Sequence, residues 1–133
     1  MADYITDIID RYETNLREVK QYGRWNLRFI QEQTPEVCLA AVQQSGWALQ
    51  FVKVQTPELC LVAIKHDGLA LYFVKEQTPE VCLAAVQQYG LTLRLVREQT
   101  PEICLAAVQN NSLALHYVKD LELKEQIILE LNL

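Results

Sequence analysis

Glycine and proline are scarce, four of each in 133 residues, which excludes collagen-like and low-complexity chains. No run of 18 apolar residues occurs, so a membrane-spanning helix is not expected. Residues 1–13 lack a basic segment leading into an apolar core and a small-residue cleavage site, so the cytoplasm is the expected compartment. Histidine is nearly absent: His66 and His116 are the only two. There is no Gly-rich phosphate loop, no H-E-x-x-H pair and no nucleophile elbow, so the chain is expected not to be an enzyme and to use no cofactor. Basic residues are also the minority, 12 against 17 acidic, and the net charge of -5 repels phosphates and anionic lipid. Neither nucleic acid nor a membrane is an expected partner.

What the chain does have is a repeat. Half of its residues are apolar and its length suits one domain with a real core. The eleven residues from Thr34 to Gln44 recur without change from Thr78 to Gln88, and close copies begin at Thr56 and Thr100. The period of 22 is kept by Pro35, Pro57, Pro79 and Pro101, by Cys38, Cys60, Cys82 and Cys104, and by Gly46, Gly68 and Gly90, with Ser112 in the fourth place. This divides the chain into an N-terminal cap helix (1–22), a degenerate half-repeat (23–33), four repeats (34–55, 56–77, 78–99, 100–119) and a C-terminal helix (120–133).

Each unit predicts two short helices. Thr-Pro-Glu is a helix start: the Thr hydroxyl accepts an orphan N–H, Pro suits the first position, and Glu complements the dipole. The first helix is expected over 35–45, stopping at Gly46 in the left-handed cap conformation, which Asn111 would take in the last copy. A second helix is expected over 47–55, ending before the next Thr-Pro. The first helix is apolar over a wide arc (Val37, Cys38, Leu39, Ala41, Val42). Helices this short must stack on the next copy to be stable. A leucine-rich repeat also tolerates a 22-residue period, but its spaced leucine and asparagine signature is absent. The expected fold is all-α, an α-solenoid of stacked 22-residue helical hairpins with a capping helix at each end. Ile5, Ile8, Ile9, Tyr12, Leu16 and Val19 stand at helical spacing for the first cap, and the last carries more apolar residues than one face needs.

The unit Val-Cys-Leu-Ala-Ala-Val-Gln-Gln-x-Gly-Leu-x-Leu-x-x-Val resembles the short helical repeats of an uncharacterised family, a domain of unknown function from intracellular bacteria and large viruses of protists. The likeness covers about residues 23–119. It lies in an aliphatic helix, a polar pair, a glycine and an Ala-Leu-rich second helix; the chain departs from it in the invariant Gln-Thr-Pro-Glu joint and the cysteine of every copy. The resemblance implies interaction modules and lends no catalytic residue.

The cysteines lie on successive units, about 10 Å apart at normal helix packing, too far for a disulfide or a close-spaced zinc site. They are expected as buried, unreactive thiols with no metal. In the second helices the frame Leu49, Leu71, Leu93, Leu115 and Val52, Val74, Val96, Val118 is held, yet one position reads Gln50, Tyr72, Arg94, His116, with Arg28 upstream. On a helical wheel it centres the polar face, flanked by the columns at Lys53 and Val54. These five are the candidate partner-binding residues, for a protein or peptide laid along the repeats; drift of an exposed position after duplication gives the same pattern. Lys53, Lys75 and Arg97 are expected to pair weakly with Glu58, Glu80 and Glu102. Trp25 and Trp47 are expected to pack against the N-terminal cap. The alternative function is an inhibitor or a self-assembling homo-oligomer acting through the C-terminal helix.

Overall fold

The structure, a computed structural model, describes residues 2–133 and all of their side chains but those of Ala2, Asp3, Arg24 and Trp25. It is an α-solenoid: helices follow one another in packed units of about 22 residues, with no strand among the described residues. Helix α1 (Ala2–Tyr22) and the single turn α2 (Arg24–Leu27) lead into α3 (Pro35–Gln44), α4 (Pro57–His66), α5 (Pro79–Gln88) and α6 (Pro101–Asn110), and α7 (Leu121–Leu131) closes the chain. Among the described residues no helix is long and apolar enough to cross a membrane.

The helix starts follow from the sequence. Thr34, Thr56, Thr78 and Thr100 accept hydrogen bonds from the backbone N–H of Val37, Leu59, Val81 and Ile103 at 3.2–3.3 Å, with proline next to each cap. Such a cap stabilises a helix by about 1 kcal/mol. Behind it, Val37, Cys38, Ala41 and Val42 and their copies are buried, each large aliphatic group contributing about 1.5–3 kcal/mol. Leu39, expected in the buried arc, is exposed instead, at the mouth of a groove described below.

The second helix differs from expectation. Rather than an α-helix over 47–55, each unit has a six-residue 3₁₀-helix: η1 (Gly46–Phe51), η2 (Gly68–Phe73), η3 (Gly90–Leu95) and η4 (Ser112–Tyr117). With three residues per turn, Gly46, Leu49 and Val52 eclipse one another and point inward, whereas Trp47 and Gln50 share the outer face. Val52 is already extended, at ψ 122°. The next three residues form the joint, where the chain turns back toward the following proline. The α-helices pack side by side in one layer and the 3₁₀-helices in another, with Leu49, Ala63, Leu71, Ala85 and Leu93 fully buried between them.

The turn glycines are not left-handed caps. The residues that end α3 to α6 are extended, with φ between -156° and -147°, and the only positive-φ residues described are Gly23 and Asn132. A close approach explains the glycines instead. A Cβ on Gly46 would lie 2.5 Å from the Ala63 carbonyl oxygen of the next unit, and one on Gly90 would collide with the Ala107 carbonyl oxygen. Asn111, expected left-handed, is extended, and its side chain caps η4 by accepting from the Leu113 N–H at 3.0 Å.

The joint is closed by its glutamine. Gln33, Gln55, Gln77 and Gln99 donate through Nε2 to the carbonyls of Phe51, Phe73, Leu95 and Tyr117 at 2.8–3.0 Å. Their Oε1 atoms accept the backbone N–H of Lys53, Lys75, Arg97 and Lys119 at 2.9–3.0 Å. One side chain therefore satisfies both a donor and an acceptor of the next unit, where each group left unpaired costs about 1–3 kcal/mol.

Candidate interaction surface

All five candidate residues are exposed. Gln50, Tyr72, Arg94 and His116 occupy the fifth position of η1 to η4, so the stacking of the 3₁₀-helices sets them in a row along the solenoid. Tyr72 is 69% exposed. Arg28 sits at the end of α2, which packs on η1 and continues the row. The row is held by local contacts: Gln50 Nε2 donates to the Trp47 carbonyl at 3.0 Å, Tyr72 stands edge-on to Phe73 at 5.2 Å, His116 edge-on to Tyr117 at 5.4 Å, and the Arg28 guanidinium lies over Phe29 at 5.0 Å.

The flanking columns are not those the α-helical wheel placed there. Lys53 and Val54 lie in the joint, beyond the end of η1. The true neighbour is the next residue in each unit, Phe29, Phe51, Phe73, Leu95 and Tyr117, exposed in Phe29 and half-buried in the rest. Sequence reasoning missed this column although a signal was present: it holds all three phenylalanines of the chain. Polar side chains of changing chemistry beside an apolar, mostly aromatic column can hydrogen-bond, stack and bury apolar area together.

The basic column does not pair with the glutamates. Lys53 Nζ donates to the Gln31 carbonyl at 2.9 Å, Lys75 Nζ to the Lys53 carbonyl at 3.0 Å, and Arg97 to the carbonyls of Lys75 and Val74 at 2.8 and 2.9 Å. Backbone oxygens of the preceding joint hold these cations, because the chain there is extended and its carbonyls have no helical donor. Among the described residues the one ion pair is Arg11 with Glu32, at 3.4 Å and exposed on both sides.

Trp47 does not pack on the N-terminal cap. It is 38% exposed, donates through Nε1 to Asp67 Oδ2 at 2.7 Å, and meets Phe73 edge-on at 5.3 Å, so it leans on the following unit. The Trp25 side chain lies outside the described residues.

The four cysteines are buried free thiols whose Sγ atoms lie 3.6–3.8 Å from the Oε1 of the joint glutamines. Burial pushes all four above the ordinary thiol value of 9.0; Arg97 offsets part of this at Cys82, and Asp120 adds to it at Cys104. No group of three or more potential metal ligands occurs among the described residues.

At the ends the apolar surface is less covered. In α1, Leu16 and Val19 pack against the stack, but Tyr4, Ile5, Ile8 and Ile9 on the same helix are exposed. In α7, Ile127 is buried while Leu121, Leu129 and Leu133 are exposed. No family model matches the chain, and no curated protein or solved structure matches it.

Proposed function

We propose that this chain is a non-enzymatic interaction module that binds a protein or peptide along its 3₁₀-helical face. The observation that carries the reading is the exposed row Arg28, Gln50, Tyr72, Arg94 and His116, set beside an apolar, mostly aromatic column and changing from each unit to the next while the frame stays fixed. A binding surface needs varied side chains on a rigid, repeated scaffold, and buried Leu49, Leu71 and Leu93 supply that scaffold directly beneath. A protein partner fits the net charge of -5 better than nucleic acid or an anionic membrane. A cytoplasmic setting fits four buried free thiols.

The test is the triple replacement of Tyr72, Arg94 and His116 by alanine. Partner recovered from native extract, quantified by mass spectrometry, falls sharply, while helicity and melting temperature stay close to those of the parent chain. A large loss of stability makes the three residues structural and ends the reading.

A second reading, an inhibitor or self-assembling protein acting through α7, is favoured by one observation: Leu129 is 78% exposed and Leu121 74%. Under it, light scattering gives a mass above that of one chain, and Leu121→Glu with Leu129→Glu returns the monomer. A monomeric parent chain removes self-assembly.

A further inference from the structure

The edge of the solenoid where the joints lie carries a row of grooves, and one is unlike the others. Between the starts of α3 and α4 it has a volume of about 600 Å³, and its walls include Leu39, Val54, Leu59 and Val62, with Lys53 and Glu58 at the rim. The next groove along, with Pro57, Cys60 and Glu76, shares Val54 as a wall but measures about 310 Å³. Three wall residues of the first groove are those at which this joint departs from its copies. Val54 stands where the other units have Glu76, Glu98 and Asp120; Val62 where they have Ala40, Ala84 and Ala106; Leu59 where they have Val37, Val81 and Ile103. Val54 puts an apolar side chain where the copies have a carboxylate and is left 79% exposed, while Val62 and Leu59 add aliphatic surface to the wall.

The edge beyond it is acidic. Glu76, Glu80, Glu98 and Glu102 are exposed along successive joints. The cations of the same joints, Lys75 and Arg97, are turned back onto backbone carbonyls. Successive units of packed helices are about 10 Å apart, the reach of three residues of an extended chain of the polyproline II type at about 3.1 Å each, which also returns every third side chain to the same face.

We propose that this edge binds an extended basic peptide, anchored by one apolar side chain in the Leu39–Val54 groove, with Lys or Arg three and six positions away facing Glu76/Glu80 and Glu98/Glu102. Apolar burial supplies the anchor and charge complementarity sets the register. The site lies on the joints and not on the 3₁₀-helical face, so the two stand or fall separately.

The probe is a fluorescein-labelled peptide, Arg-Ser-Ser-Arg-Ser-Ser-Leu-Ser-Ser-Arg-Ser-Ser-Arg, symmetrical so that it serves either chain direction, titrated with the full chain by fluorescence anisotropy in about 50 mM salt. Saturable binding is expected. Val54→Ser, which removes the apolar wall at an exposed site without adding charge, weakens it by about tenfold, and replacing the peptide's leucine by serine does the same. Glu80→Gln with Glu102→Gln weakens it severalfold and flattens its salt dependence. The triple alanine variant of Tyr72, Arg94 and His116 binds like the parent. No saturable binding to the parent chain overturns the proposal, as does unchanged affinity for Val54→Ser or for the serine peptide.

Discussion

The three internal turns and the last one look alike in outline yet differ in one atom's worth of space. Gly46, Gly68 and Gly90 are buried, and Gly46 and Gly90 face a backbone carbonyl of the unit that follows. Ser112, at the same place in the last unit, is exposed, because no further repeat stacks on it and α7 makes little contact with the turn. The flanking backbone is the same in all four, extended at φ near -150°. Glycine is therefore required by the neighbour and not by the local dihedral, and the serine marks where the neighbours stop.

That contrast is most easily broken by adding a methyl group. Gly90→Ala forces the Ala107 backbone aside, and overpacking against a carbonyl that cannot rotate away costs about 3 kcal/mol, read as a lower midpoint in thermal or urea unfolding. Gln77→Leu comes next, at about 2 kcal/mol, because it leaves the Leu95 carbonyl and the Arg97 N–H without their partner. The thiols sharpen the picture through pH. Their folded values lie above the ordinary 9.0, so the folded chain holds protons that the unfolded chain has released once pH passes that value. Stability is then fully present below pH 9 and falls as pH rises further, and Cys38→Ala with Cys60→Ala reduces the slope. The smallest effect belongs to Ser112→Ala, within about 0.5 kcal/mol of the parent, since nothing stacks on that turn.

Most of the architecture was legible in the 22-residue period and in the Thr-Pro helix starts, both local signals. The 3₁₀-helix was not, although its pattern is visible: Gly46, Leu49 and Val52 repeat every three residues, where an α-helical face alternates threes and fours. A wheel drawn at the wrong pitch keeps the candidate row exposed but gives it the wrong neighbours, which is why Lys53 stood in for Phe51. The joint glutamines were seen as invariant but had no assigned role, because their partners lie 18 and 20 residues away. The basic column was matched to nearby glutamates by sequence distance, whereas its acceptors are carbonyls 22 residues upstream that no charge pattern reveals.

Amide hydrogen exchange tests most directly the claim that each unit is closed by the one before it. The N–H groups of Lys75 and Arg97 lie in extended joints that look solvent-accessible, yet both donate to glutamine Oε1 atoms of the preceding joint. They are predicted to exchange as slowly as the core amides of Leu71 and Leu93, and in Gln77→Leu the Arg97 amide alone becomes fast. Exchange of both amides in the parent chain at the rate of an unstructured peptide would contradict the account.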